Sequence, residues 1–274
     1  MASWLYGAPQ VAFISGGASG IGLHIVRALI DEGTSIAIFD LNIEQSLLAE
    51  LRLGCSRLGQ VVEAYSVDVS NSAAMLSAMD EAAIYVGRPD LAFNSAGILR
   101  TALFTELAAE VFETVVRINL LGSRNFSAAA LKHMQANGHL VLVASLAGVV
   151  GSYTQSAYAA SKFGVVGLAE VLRIEQKLLG IDVSVVCPGE ISTPLLAYER
   201  QHGSPITEVL NQFAGVLPVE KAVAGILNGV RRREFMITPG FKARLTRALA
   251  RKTSTLMRWL VDRTLEKAIT KARG

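Results

Sequence analysis

Cysteine is nearly absent from this chain. Cys55 and Cys187 stand far apart with no C-x-x-C pair, which excludes a disulfide framework and a cysteine-rich zinc site and fits a reducing, cytoplasmic setting. Histidine is scarce too, and His24, His133, His139 and His202 show no metal-ligand spacing, so no metal is expected. No apolar run reaches the ~18 residues of a membrane span, and the N-terminus lacks the basic stretch and cleavage site of a signal peptide. With 51% hydrophobic residues and only 7 prolines in 274 positions, the composition excludes a disordered chain.

Charge is unevenly spread. The total is +3, yet residues 239–274 hold ten Lys/Arg against Asp262 and Glu266, a net of +8 that leaves −5 on the rest. In that stretch Leu245, Leu249, Leu256, Leu260, Leu265 and Ile269 are interleaved with basic residues, an amphipathic helical pattern. It suits three placements: peripheral contact with an anionic membrane surface, a solvated outer helix, or an oligomer interface. Nucleic acid is not an expected partner, because only Phe241 and Trp259 could stack on bases and no recognition motif is present.

Up to about residue 238, short apolar runs alternate with longer amphipathic segments, the rhythm of βαβ units around a parallel sheet buried on both faces. Strands are predicted at 11–15, 35–40, 61–67, 91–94, 139–144, 182–187 and 234–237. Helical patterns include 20–32, 43–53, 71–86, 105–135 and 157–179. No linker or repeat divides the chain. The expected fold is therefore α/β: a single Rossmann-type, doubly wound domain over 1–240 with a seven-stranded, mostly parallel sheet, followed by a basic amphipathic helical extension over 241–274.

The first strand runs into Ser15-Gly16-Gly17-Ala18-Ser19-Gly20-Ile21-Gly22 and then a helix. At such a turn Gly16 lets the chain reverse, Gly20 lets backbone N–H groups approach a pyrophosphate, and Gly22 lets the helix pack closely on the strand. The second strand ends in Asp40, whose carboxylate can accept from an adenosine ribose and repels a 2′-phosphate. Neither Leu41 nor Ser19 supplies a cation there, so NAD is expected over NADP. The alternative for Asp40 is a cap on the next helix.

Tyr158-Ala-Ala-Ser-Lys162 places a phenol and an ammonium one turn apart on a helix. A nearby cation favours the phenolate and is expected to lower the Tyr158 pKa, which suits general acid/base work. Ser145 ends the apolar run HLVLVAS, where a parallel sheet opens its cleft. Asn119 is an amide in an otherwise apolar helical pattern and needs hydrogen-bond partners if buried.

With these residues in order, the chain resembles the short-chain dehydrogenase/reductase family over about residues 8–240. The resemblance rests on Gly16-x3-Gly20-x-Gly22, Asp68-Val69, Asn94-Ser95-Ala96-Gly97, Asn119, Ser145, Tyr158-x3-Lys162 and Pro188-Gly189-x3-Thr193-Pro194. Ser15 replaces the usual Thr, and Ser95 replaces a second Asn. The resemblance implies hydride transfer between nicotinamide and a CH–OH or C=O carbon. It implies that Tyr158 exchanges the proton, Ser145 bonds the substrate oxygen, Lys162 binds the nicotinamide ribose, and Asn119 holds a water of the proton relay. Gly16, Ser19, Gly20, Ile21, Gly22, Ala96, Gly97, Pro188 and Gly189 would line the cofactor. Asp68 and Val69 would meet the adenine, Asn94 would stabilise the sheet, and Ile191 and Thr193 would meet the carboxamide. Family members commonly form homodimers or homotetramers through the helix carrying the tyrosine.

The segments expected to face substrate, LAGVVGSYTQ, EISTPLLAYERQHG and SPITEVLNQFAGVL, are mostly apolar, with Tyr153, Gln155, Glu190 and Tyr198 as polar exceptions. A hydrophobic alcohol or ketone, lipid- or steroid-like, fits such a lining. The basic tail and residues 158–200 resemble the 3-ketodihydrosphingosine reductase branch more loosely, and Asp40 argues against the NADPH that branch uses. A different class is a catalytically silent dinucleotide-binding module. It should have lost one of Ser145, Tyr158 and Lys162, and all three are present.

Overall fold

The computed structural model describes residues 2–211, 215–253, 255, 258–259 and 261–266. Strands β1 (Val11–Ser15), β2 (Ser35–Asp40), β3 (Val62–Ser66), β4 (Leu91–Asn94), β5 (His139–Val143), β6 (Asp182–Val186) and β7 (Met236–Ile237) form a seven-stranded sheet in the order β3-β2-β1-β4-β5-β6-β7. Every pairing is parallel. Because the order reverses at β1, chains leaving β1 and β4 diverge and open a crevice at their carboxyl ends. Register brings those ends level: Ser15 pairs with both Phe39 and Asn94, and Asn94 pairs with Leu142.

Side chains alternate across the sheet. Ala12, Ile14, Ile36 and Ile38 pack on one face with α1 (Gly20–Asp31), α2 (Gln45–Leu53) and residues Val223, Ile226 and Val230. Phe13, Phe39, Ala92 and Leu142 pack on the other, against α3 (Ser72–Tyr85) and residues Phe126, Ala130 and Val165. Both faces are covered, which is why the strands read as apolar runs rather than alternating patterns.

The long helical pattern at 105–135 is in fact two helices, α4 (Ala109–Val116) and α5 (Gly122–His133), joined by a π-helical turn at Arg117–Leu121. A single wide turn resets the helical phase while leaving a sequence that still looks periodic. Next come α6 (Ser156–Gln176), α7 (Pro194–His202), α8 (Pro205–Asn211) and α9 (Val219–Arg231). The last three lie outside the predicted helices. The final strand is shorter than predicted, since Glu234 and Phe235 precede the paired residues.

The extension begins with α10 (Phe241–Lys252) and is attached to the body. Arg247 donates to the Met236 carbonyl at 2.7 Å and to Thr238 Oγ1 at 3.1 Å, and Ala243 is buried. Part of the predicted apolar stripe, at Leu256, Leu260 and Ile269, lies outside the described residues. Phe241, Leu245 and Trp259 are exposed. Among the described residues no helix is long and apolar enough to cross a membrane.

Candidate active site

A cavity of about 880 Å³ opens along the carboxyl edge of the sheet. Its floor begins at the turn after β1. Gly22 is required there because a Cβ would fall 2.1 Å from the Gly16 carbonyl, where α1 crosses the strand it follows. Ser19 precedes α1 with φ −152° and makes no side-chain cap, and no acid sits in the first turn. The first N–H groups of α1 are thus left for an anion. Gly16, Ser19, Gly20 and Ile21 all line the cavity.

Asp40 lines it at the end of β2 and accepts from the Ala18 N–H at 3.0 Å, which binds the carboxylate to the glycine-rich turn. It does not cap the following helix, whose N-cap is Glu44. Asp68, Val69, Ala96 and Gly97 continue the wall beyond β3 and β4, and Pro188, Gly189, Ile191 and Thr193 close it beyond β6. This outline fits a dinucleotide: open helix N–H groups for a pyrophosphate, a carboxylate for a ribose, and apolar walls at either end.

Gly22, expected to line the cofactor, and Asn94, expected to stabilise the sheet, both stand behind the wall rather than in it. Asn94 is buried, accepts from Ser15 Oγ and donates to Ser123 Oγ at 2.7 Å. Ser123 in turn donates to the Asn119 carbonyl at 2.5 Å. Asn94 therefore ties the ends of β1 and β4 to α5. Asn119 is likewise absent from the cavity surface. Its Oδ1 accepts from the Ile98 N–H at 2.8 Å, and its Nδ2 donates to the Ile98 carbonyl at 2.9 Å and to Ser161 Oγ at 3.0 Å. Both amide protons are spent on joining the turn after β4 to α6.

Ser145, Tyr158 and Lys162 meet in the same cavity. Ser145 follows β5, and its hydroxyl both accepts from the Ala147 N–H at 3.1 Å and hydrogen-bonds the Tyr158 phenol. Lys162 is buried and donates to the Val143 carbonyl at 2.9 Å, with its ammonium 5.6 Å from the centre of the Tyr158 ring. The expected lowering of the Tyr158 pKa is not what this geometry gives. Burial pushes the phenol up to about 12, the bond to Ser145 pulls the other way, and the charge of Glu199 adds to the rise. The same burial pushes Lys162 down to about 8. Lys162 is spent on Val143 and the ring, so desolvation wins over its attraction for the phenolate.

The sequence reading missed two contributors. Glu199 lines the cavity beside Tyr198, and Arg100 joins from the turn after β4, its guanidinium 4.9 Å from the centre of the Tyr198 ring. Thr246 and Leu249 of α10, with Val261, Thr264 and Leu265 beyond it, also line the cavity. The extension thus presents part of its apolar side to the site. Among the described residues no group of side chains could hold a metal ion. His139, buried in β5, meets Ser184 Oγ at 2.7 Å.

The short chain dehydrogenase family model matches residues 10–203. The chain belongs to this family. It is 34% identical over 221 residues to a D-threitol dehydrogenase of Mycolicibacterium smegmatis, covering 79% of this chain and 84% of that one. A D-beta-hydroxybutyrate dehydrogenase of Cupriavidus necator is 29% identical over 225 residues, with coverage of 79% and 84%. Among solved structures, levodione reductase superposes with a TM-score of 0.75 at 26% identity, covering 84% of this chain and 95% of the other. This short-chain dehydrogenase is an NAD(P)-dependent oxidoreductase acting on alcohol or ketone groups, and a silent binding module is not the favoured class.

Proposed function

We propose that this dehydrogenase uses NAD in preference to NADP and acts on a neutral, largely apolar secondary alcohol or ketone. The carrying observation is the convergence of Ser145, Tyr158 and Lys162 on one cavity with the open N-terminus of α1 and the Asp40 carboxylate. Asp40 supports NAD because the cations among the described lining residues, Arg100 and Lys162, both belong to the substrate end. A 2′-phosphate at Asp40 would meet a like charge with no compensation.

The nicotinamide, once bound, supplies the carbon that gives or takes the hydride. In this reading Tyr158 is the proton donor to the substrate oxygen during ketone reduction. A phenol pushed up to about 12 holds its proton at neutral pH, the state a donor needs. Ser145 shares the phenol's hydrogen bond and fixes the substrate oxygen beside it. Lys162 stands where it can bind the nicotinamide ribose. Asn119 acts as a positioning residue that holds the turn carrying Gly97 and Ile98 against α6, and its side chain has no proton left for a relay water.

The substrate reading rests on Leu146, Val150, Leu195, Leu249 and Val261 in the cavity wall. We do not extend it to the 3-ketodihydrosphingosine reductase branch, against which Asp40 argues. An oligomer built on α6 is supported by the exposed apolar residues Phe163, Val171 and Ile174 on that helix.

Absorbance at 340 nm tests the reading, with NAD(H) and NADP(H) offered beside apolar alcohols and ketones to wild type and Tyr158→Phe. The expected outcome is NAD-preferring turnover that the substitution abolishes while NADH binding persists. Turnover retained in Tyr158→Phe would overturn the role given to that residue.

A further inference from the structure

Glu199 belongs to none of the motifs that mark the family, yet it faces the reacting end of the cavity. It lines the same cavity as Ser145 and Tyr158, and its charge is felt by the Tyr158 phenol. Its Oε1 accepts from Gln155 Nε2 at 2.5 Å. Gln155 is only 3% exposed and comes three residues before Tyr158, at the start of the same helix. The preceding residue, Thr154, is held at φ 61°, and its hydroxyl meets Thr207 Oγ1 at 3.0 Å. A non-glycine residue in that conformation persists only where its surroundings impose it.

One oxygen of Glu199 is therefore fixed, while Oε2 accepts no hydrogen bond among the described residues. The second oxygen of this half-buried carboxylate is thus free to accept from water or from a ligand hydroxyl. Burial, then the neighbouring Glu190, push this carboxyl up to about 7, with Gln155 and Arg200 acting in the opposite sense. The surrounding charges narrow the ligand. Glu190 and Glu199 are offset by Arg100 and Lys162 in the same cavity lining, which suits a neutral ligand.

We propose that Glu199 is a specificity-determining residue that accepts a hydrogen bond from a second, neutral hydroxyl on the substrate. The preferred substrate is then a hydroxyketone or diol on an otherwise apolar skeleton, an assignment that rests on the reaction proposed above.

The matched pair cyclohexanone and 2-hydroxycyclohexanone tests this. At about pH 7.5, above the value of about 7 to which burial pushes the Glu199 carboxyl, a hydrogen bond to the charged group corresponds to about tenfold or more in selectivity. In wild type the kcat/KM of the hydroxyketone should exceed that of the plain ketone by about that factor, and in Glu199→Leu the ratio should fall to about one. Should Glu199→Leu fail to fold, judged by circular dichroism, Glu199→Gln should also lower the ratio, because its amide oxygen stays on Gln155 and the nitrogen left facing the substrate cannot accept a hydrogen bond. A wild-type ratio near one, or a ratio unchanged by these substitutions, overturns the proposal. Titration of both ketones into Tyr158→Phe with NADH, followed by nicotinamide fluorescence, separates it from the reaction itself. Tighter binding of the hydroxyketone that Glu199→Leu removes, without turnover in wild type, would sink the reaction and keep Glu199. Turnover with hydroxyketone binding no tighter than that of the plain ketone would do the reverse.

Discussion

Lys162 donates its ammonium to the Val143 carbonyl at 2.9 Å rather than to the phenol it accompanies in the sequence. Val143 is the last residue of β5, so its carbonyl emerges where the sheet opens onto the cavity. The arrangement fixes a buried cation beneath Tyr158, and burial pushes that cation down to about 8. Its folded pKa is lowered, so the ammonium is present below about pH 8 and is lost as pH rises through that value. Ketone reduction should therefore lose kcat/KM on the alkaline side of about 8. Lys162→Met should lower turnover by about a hundredfold or more and remove that alkaline limb. A pH–rate profile of both proteins checks this, and a limb that survives in Lys162→Met would assign it to another group.

Five of the strand positions were legible because a strand buried on both faces must be a short apolar run, and 11–15, 35–40 and 91–94 agree with the structure to the residue; the edge strand β3, half-buried and carrying Glu63, was placed one residue too long at each end. The seventh was placed but overextended, since its pairing to β6 involves Met236 and Ile237 alone. The π-helical turn around Asn119 was not legible. An apolar period cannot show that one turn is wider than the next. Glu199 was hidden for a different reason. Its importance comes from Gln155, 44 positions earlier, and from a cavity that exists only after α7 folds back beside Tyr158. Local pattern carries the sheet edge and the residues on it, while the substrate end is assembled from distant segments.

The buried chain from Ser15 through Asn94 and Ser123 to the Asn119 carbonyl gives a prediction about stability. Asn94→Ala removes the acceptor of the buried Ser15 hydroxyl and one of the two hydrogen bonds of Ser123, at a cost of about 2 kcal/mol. Urea unfolding should show that loss, with the combined Ser15→Ala/Asn94→Ala protein losing less than the sum of the single changes. Strict additivity would mean that the two side chains do not act as one unit.

The apolar contribution of the extension is open to a direct test at Leu249. This residue lines the cavity from α10, whose Arg247 anchors it to the body through Met236 and Thr238. Leu249→Asn puts a polar amide into an apolar wall and should raise KM for apolar ketones by about tenfold, with a smaller effect on NADH affinity. Steady-state kinetics with a series of alkyl ketones reads this, and an unchanged KM across the series would place the substrate away from the extension.

On the reading proposed above, Asp40 selects the cofactor by charge. Its Oδ2 is held by the Ala18 N–H at 3.0 Å, so the carboxylate cannot swing away from the turn that would cradle the pyrophosphate without breaking that bond. A 2′-phosphate brought against it would pay for two like charges in a partly dry site, several kcal/mol at an effective dielectric near ~20. Asp40→Ala removes the repulsion and frees the Ala18 N–H as a donor. The ratio of kcat/KM with NADP to that with NAD should then rise at least about tenfold. A further substitution, Leu41→Arg, would supply the missing cation beside the phosphate and raise the ratio again. Should Asp40→Ala leave the ratio where it was, the discrimination would lie elsewhere in the adenosine end of the cavity.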